Sequence, residues 1–555
     1  MFDLLIKNGI VVDGSGEKPH ISDIAVKEGT IKQIEKSING KATTIVEAKG
    51  LVVSPGFIDP HSHTDLTVSI YPSSARALRQ GITTEVVGNC GLSSAPLSCK
   101  NRDYWKKYMN FQGQNEFKEF NPTWSMFSDY LQQISQMNIG TNLAHLVGHN
   151  TLRSYVMGTE DNGGKKQSPT DNELKKMKNE LTEAYKNGAF GLSTGLSYPV
   201  GRNAPTWEII ELCRITSQHK KIYASHLRSG PDLLGYREFY DIIRETNVKG
   251  IISHVRGRTI RYPENNQKNS SYMVDEILNL FHSNRRGGYE VYMDVIPIPS
   301  GLNSLSSTLF GGWGLSDTET VFDDQGKLIP LQKFLTKLAD PEKRQKLKDS
   351  IQNNLNTKVS YEKDTRLIHY SENNDQYTGK TIRELSTILG LNELDTIIDI
   401  LLSSNGDTRW GNTCIEEDLD KLFLNSDAIP CSDGHSLPSR ATTKTIGGIP
   451  GPRIFGAFPY FINKYKKFLS IEEIITRSTY RPAKIFNIKN RGLLKSEYFA
   501  DIVLFDPGTI SNNATYGKPA LSPEGIKMVI QNGKISIRKG KTVSLEGKVL
   551  KSDIT

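Results

Sequence analysis

The sequence predicts an α/β protein: a TIM-type (β/α)8 barrel together with a small β-sandwich domain formed by both chain ends. Three observations carry that expectation. Eight apolar, strand-like runs alternate with helical patterns through the middle of the chain. Both ends are rich in short β-like runs punctuated by Gly and Asp. Histidine, cysteine and aspartate recur where the middle runs end.

The first 53 residues alternate in runs separated by turns: DLLIKNG, GIVVDGSG, DIAVKEGTIKQIEK and TTIVEAKG. The last stretch does the same in ADIVLFDPG, IKMVIQNGKISIRKG and TVSLEGKVL, so the termini are expected to meet in one domain, residues 1–54 and 489–555. Residues 55–488 are expected to form the barrel. Its strands end in VVSPGFID, ITTEVVGN, TNLAHLVG, AFGLST, IYASH, GIISH, YEVYMDV and AIPCSDG. Helical patterns lie between them, as at Asp171–Asn187, Trp207–His219 and Ile471–Tyr480, the last stopping just before Pro482. Eight such units argue for a closed barrel over an open, doubly wound sheet. A charged, partly helical segment at about 305–370 breaks the rhythm and reads as an insertion forming a lid or subdomain.

Length and composition fit this. A chain of 555 residues has room for a barrel and a second domain. No stretch approaches the roughly 18 apolar residues of a membrane span. The start, MFDLLIKNGIVVDGSG, lacks a basic region and a small-residue cleavage site, and reads as a first strand and turn. The net charge of +8 is spread out, and lysine clusters such as Lys343–Lys348 read as a solvated helix face, so no nucleic-acid partner is expected. Five widely spaced cysteines (Cys90, Cys99, Cys213, Cys414, Cys431) argue against a disulfide framework and for a reducing, cytoplasmic setting.

The strongest local signal is Asp59-Pro60-His61-Ser62-His63-Thr64-Asp65, directly after a strand. Residues two apart on a strand share a side, so His61 and His63 can converge on one metal ion, and neutral imidazole suits zinc. His226, His254 and Asp433 each end a barrel strand, where barrel enzymes place their chemistry. Any one of them alone would fit a structural hydrogen bond; together they point to a metal. Cys90, in Gly88-Asn89-Cys90-Gly91 at the second strand exit, is a candidate thiolate ligand, while the other cysteines fit small buried apolar residues. Asp433, the acid among these strand-end groups, is the candidate general base that takes a proton from a metal-activated water and passes it to a leaving nitrogen. Ser193 and Tyr198, at the fourth strand exit, could donate to a developing oxyanion or bind substrate; packing in a Tyr-Pro turn fits Tyr198 equally well. His149 reads as a supporting residue.

The chain resembles the amidohydrolase superfamily, and within it the N-acyl-D-amino-acid deacylases (D-aminoacylases). The residues carrying this include PGFIDPHSHTD at 55–65, GITTEVVGNCGLSSAPL at 81–97, GHNTLR at 148–153 and GAFGLSTGLSYPVG at 188–201. ASHLRSG at 224–230, ISHVRGR at 252–258, SDG at 432–434, GPRIFGAFP at 451–459, GLLKSEYFADIVLFDP at 492–507 and ATYGKPALSPEGIKMVIQNG at 514–533 extend it nearly end to end. The resemblance implies a tight zinc ion on Cys90, His226 and His254. It implies a second, weaker metal position on His61 and His63, with Cys90 bridging and Asp433 close by. The lysine that many relatives carry on the fourth strand is absent from AFGLSTGLSYP, which agrees with the cysteine version. It also implies Arg453 and Arg256 as cations for a substrate carboxylate, although each arginine taken alone fits a surface ion pair. The substrate implied is an N-acyl-D-amino acid or an acylated peptide.

Several positions depart from the family's usual pattern: Ile296-Pro297-Ile298 for Tyr-Pro-Tyr, Leu302 for a serine, Gly451 for a histidine, Gly230 for an acid and Arg256 for a lysine. The metal-binding residues stay while the pocket walls become more apolar, which favours a larger or greasier acyl group. Two other readings compete: a cyclic-amide hydrolase of the dihydroorotase or hydantoinase type, and a barrel acting only as a scaffold.

Overall fold

The computed structural model describes residues 1–111, 119–159, 166–229, 233–256, 269–299, 301–309, 321–323, 327–354, 367–412, 416–437, 451–515 and 518–553. The N-terminal runs become β1 (Phe2–Val11), β2 (His20–Lys27), β3 (Thr30–Glu35), β4 (Ala42–Glu47) and β5 (Val52–Pro55). β1 organises them. It pairs antiparallel with β2, and its other edge runs parallel first to β4 and then, at Ile10 and Val11, to β5.

The run VVSPGFID divides at Gly56: β5 stays in this sheet, and β6 (Phe57–Asp59) begins the barrel. A side chain at position 56 would stand 2.1 Å from Thr83 Oγ1, so the close approach of the two sheets requires glycine. The barrel continues with β7 (Ile82–Val87), β8 (Asn142–Gly148), β9 (Gly191–Gly195), β10 (Ile222–His226), β11 (Lys249–Ile252) and β12 (Val291–Val295). These strands are buried nearly throughout, as a parallel sheet covered by helices must be.

Between the seventh and eighth barrel strands lie β13 (Gly301–Ser304), β14 (Leu367–Ser371) and β15 (Thr408–Asn412), paired antiparallel in the order β13-β15-β14. Amphipathic helices pack beside them, among them Leu331–Ala339, Ile382–Leu389 and Glu393–Ser403. This small sheet therefore draws on residues on both sides of the 305–370 segment.

β16 (Ile429–Pro430) pairs with β12 and completes eight parallel strands. The seam between β16 and β6 is closed by backbone bonds rather than by a full ladder. Asp433 N–H donates to His61 O at 2.9 Å, and His63 N–H donates to Gly434 O at 2.6 Å. Asp59 adds a side-chain link by accepting from the Ser432 N–H and hydroxyl.

The chain then returns to the first sheet through β17 (Ile502–Phe505), which lies antiparallel to β5, followed by β18 (Ile526–Gln531), β19 (Lys534–Arg538) and β20 (Lys541–Thr542). Leu4, Ile6, Ile24, Val26 and Val53 share one apolar cluster with Ile502, Leu504 and Ile530, so both chain ends build this small domain together. The last residues cross under the barrel. Leu143 N–H donates to Lys548 O, Leu550 N–H to Leu143 O and Ser552 N–H to Gly188 O. No helix among the described residues is long and apolar enough to cross a membrane.

Candidate metal centre

At the C-terminal mouth of the barrel, four strand exits deliver side chains to one point. Cys90 Sγ lies 3.3 Å from His61 Nε2, 3.7 Å from His226 Nδ1 and 3.4 Å from His254 Nε2. His226 Nδ1 and His254 Nε2 are themselves only 2.9 Å apart. Two groups result, each with ligand atoms within 4.8 Å of one another: Cys90, His226 and His254, and His61, His63 and Cys90. The thiol belongs to both. Asp433 Oδ1 completes the cluster at 3.2 Å from His63 Nε2 and 3.6 Å from His61 Nε2.

The local backbone is bent to do this. Cys90, His254 and Asp433 all have positive φ, at 54°, 36° and 47°. Such conformations cost non-glycine residues about 1–3 kcal/mol and persist where the surroundings enforce them. Gly88 and Gly91, on either side of the Cys90 turn, also have positive φ. A Cβ at Gly91 would stand 2.2 Å from Asn150 Oδ1, so this loop must be glycine-rich.

Electrostatics follow from burial and proximity. Burial raises the Cys90 thiol, but His61, His254 and the contacts from His226 outweigh it and hold the group well below its ordinary value. Burial likewise raises the Asp433 carboxyl, while Arg453, His63, His254 and His61 together pull it well below the usual range. Burial lowers His63, but Asp433 and Cys90 lift it to about 9. The donor set fits a soft divalent cation. A thiolate and three imidazole nitrogens converge so closely that they cannot all satisfy one another by hydrogen bonding, and Cys with His is a zinc combination.

The structure brings His61, His63, Cys90, His226, His254 and Asp433 into this one cluster. Tyr198 joins its edge, with its hydroxyl 3.2 Å from His226 Nδ1. Burial raises the Tyr198 hydroxyl well above its ordinary value, with Cys90, Asp433 and Tyr108 adding to the rise and Arg256 opposing it. Arg256 follows β11 two residues after His254. Arg453 opens the helix Arg453–Tyr465 and donates from Nη2 to Asp433 Oδ2 at 3.1 Å and to Asp433 O at 3.0 Å. Its buried Nε has no partner in the protein.

The Ser193 hydroxyl donates to Gly88 O and accepts from Gly91 N–H, so it holds the Cys90 loop in place. His149 faces Glu208 at 2.7 Å, away from the cluster. Ile296 and Ile298 are buried at the exit of β12. Gly230 and Cys414 lie outside the described residues, as does the side chain of Leu302.

Sequence reasoning missed the supporting layer. Asn150 bonds Gly195 N–H and Gly195 O, tying the fourth strand exit to the helix His149–Met157, whose Thr151 N–H donates to Gly91 O in the Cys90 loop. Below His63, Glu85 accepts from Ser62, Thr64, Thr141 and Arg76. Asp294 touches both His61 and His254. The available signal was a charge inside an otherwise apolar strand, Glu85 in ITTEVV and Asp294 in VYMDV.

Comparison with known proteins agrees with this geometry. The pattern describing the amidohydrolase family matches residues 44–196. The chain is 29% identical over 538 residues to N-acyl-D-aspartate deacylase of Alcaligenes xylosoxydans xylosoxydans, covering 96% of this chain and 91% of that protein. It is 27% identical over 537 residues to D-aminoacylase from the same organism, covering 96% and 94%. The crystal structure of N-acyl-D-glutamate deacylase from Bordetella bronchiseptica, complexed with zinc and a phosphonate mimic of the tetrahedral intermediate, superposes with a TM-score of 0.76. That match covers 99% of this chain and all of the other, at 25% identity.

Proposed function

We infer that this chain, which belongs to the D-aminoacylase family of amidohydrolases, hydrolyses the amide bond of an N-acyl-D-amino acid or of a peptide bearing an N-acyl-D-residue. The observation that carries the reading is the shared thiol: Cys90 sits between two histidine pairs at the barrel mouth. β9 supplies GLSTG and no lysine, so cysteine takes the bridging place that a lysine fills in cyclic-amide hydrolases.

Cys90, His226 and His254 would hold a tight zinc ion, and His61 and His63 with Cys90 a second, weaker position. When bound, the ion supplies Lewis acidity that polarises the scissile carbonyl and lowers the pKa of water from about 15.7 to about 7. Asp433 Oδ1 lies beside His61 and His63, in reach of a water attacking over the cluster. It takes that water's proton and then delivers it to the leaving nitrogen. Its other oxygen is held by Arg453, which fixes the direction of the free lone pairs. The Tyr198 hydroxyl, at the edge of the cluster, donates to the oxygen that gains charge. Arg256 and Arg453 receive the substrate carboxylate.

The domain division at 54/55 and 488/489 fits the separate apolar cluster shared by the two chain ends. Cys90, Cys99, Cys213 and Cys431 are free thiols, which favours a reducing, cytoplasmic setting.

The test is release of free amino acid from matched N-acyl-D- and N-acyl-L-substrates, with short and long acyl chains, before and after chelation. Chelator-sensitive cleavage confined to the D-series is the expected outcome. Zinc-loaded protein that cleaves neither series, or both equally, would sink this reading.

A further inference from the structure

Asp294 stands at the end of β12, is 1% exposed and has no part in the chemistry described above. Its strand neighbours Met293 and Val295 are buried and apolar, so a carboxylate there is costly unless it is paired. Three elements meet on it. The His254 N–H donates to Oδ1 at 2.7 Å. The same oxygen faces His61 Nδ1 at 3.4 Å, a long contact that falls short of a full hydrogen bond. β16 flanks it on the other side, with Ile429 paired to Asp294 in parallel register. The backbone of Asp294 adds a fourth hold, since its carbonyl accepts from the Val255 N–H at 2.8 Å.

One oxygen thus serves a histidine from each of the two ligand groups. A carboxylate beside Nδ1 favours the proton on that nitrogen and leaves the Nε2 lone pair free, and His61 turns Nε2 toward Cys90. His254 has φ of 36°, a conformation its own chain disfavours. The bonds from Asp294 to His254 N–H and Val255 N–H grip the turn on both sides of that residue. The turn aims His254 Nε2 at Cys90 Sγ.

We propose that Asp294 is a positioning residue that couples the two halves of the metal centre, selecting the His61 tautomer and fixing the His254 turn through a single carboxylate. The proposal rests on reading the two groups as metal ligands. It adds that their geometry is set jointly, from the seventh strand.

Asp294→Asn keeps an oxygen for the His254 N–H and removes the charge; Asp294→Ala removes both. Three quantities decide: zinc affinity by chelator competition, the unfolding temperature of metal-free protein, and kcat separately from KM. For Asp294→Asn the expected result is an unfolding temperature close to wild type, zinc affinity lower by about 10–100-fold, and reduced kcat with little change in KM. Asp294→Ala should lose stability in addition. In a His61→Ala background the effect of Asp294→Asn on affinity should shrink, because part of its action runs through His61. Wild-type zinc affinity and kcat in folded Asp294→Asn, with the loss in Asp294→Ala confined to unfolding temperature, would overturn the proposal. The affinity measurements need no substrate, so they decide the role of Asp294 even if the wild-type protein cleaves no N-acyl-D-amino acid.

Discussion

Cys90, His254 and Asp433 are held in backbone conformations that most side chains avoid, and all three point into the cluster. Strain at Cys90 can be separated from its chemistry. Cys90→Ala and Cys90→Gly both remove the thiol, but only glycine adopts φ near 54° without steric cost. Metal-free Cys90→Gly should therefore be more stable than Cys90→Ala by about 1 kcal/mol in chemical denaturation; equal stabilities would mean the turn is not strained. His145 offers a pH test. It is buried on β8 with Nε2 3.2 Å from the Tyr130 hydroxyl, and burial pushes its pKa from 6.5 down to about 3. Because the folded value lies below the unfolded one, the unfolded chain binds the proton first. The contribution of His145 to stability is then whole above pH 6.5 and is lost as pH falls from 6.5 to 3. His145→Gln should remove about 2 kcal/mol of the stability lost between pH 7 and pH 5. Urea denaturation of both proteins at the two pH values measures this, and parallel acid limbs would count against it. At this scale the residues of the cluster were legible because each ends an apolar run in the sequence. The engagement of Ser193 was not, because its partners Gly88 and Gly91 lie on another strand and nothing in AFGLST signals them.

Elements were legible where their periodicity is local. The eight barrel runs and the β-rich ends were readable because buried parallel strands are apolar throughout and edge strands alternate. The run TVSLEGKVL has a strand-like pattern, yet only its first residue, Thr542, lies in a strand, Lys541–Thr542. Beyond them the chain pairs through isolated contacts, Gly547 with Ile139 and Val549 with Leu143, which no local pattern announces. Such pairing makes the tail a strap over the N-terminal face of the barrel. Leu550 packs on the apolar cluster of Ala144, Phe190 and Ile222, and Lys221 Nζ donates to Ser552 Oγ at 2.7 Å. A chain ending at Ser544 should lose ~2–4 kcal/mol through the uncovered apolar surface and the unpaired Lys221. Thermal unfolding and limited proteolysis of the shortened chain would show it. An unchanged unfolding temperature would mean the strap only decorates the barrel. The small sheet of β13, β14 and β15 was not legible for a related reason. Its middle strand is the last in sequence, so its pairing is set by contacts far apart along the chain.

For the whole molecule, the closure of the barrel and the assembly of the site are one event. Seven of the eight joints between strands are parallel pairings, and the eighth, between β16 and β6, rests on a few backbone bonds and the Asp59–Ser432 link. His61 and His63 stand on one side of that seam and Asp433 on the other. A metal held by all three would therefore staple the barrel where its own hydrogen bonding is weakest. The stabilisation from binding follows the excess of ligand over its dissociation constant, about 2.7 kcal/mol at a hundredfold excess. It should appear first at this joint. Stripping the protein of metal is expected to accelerate amide exchange at His63, Ser432 and Asp433 more than at Ser253 on the β10–β11 joint, whose N–H bonds Ser225 O. Reloading zinc should restore protection, with the seam amides recovering only when the weaker position fills. A uniform loss of protection around the barrel would instead mean that the metal stabilises the fold globally and the seam is no weaker than its neighbours. If the seam alone responds, substrate cleavage and barrel closure share the same residues. Variants at His63 would then lose activity and seam protection together, while variants at Tyr198, which lies off the seam, would lose activity alone.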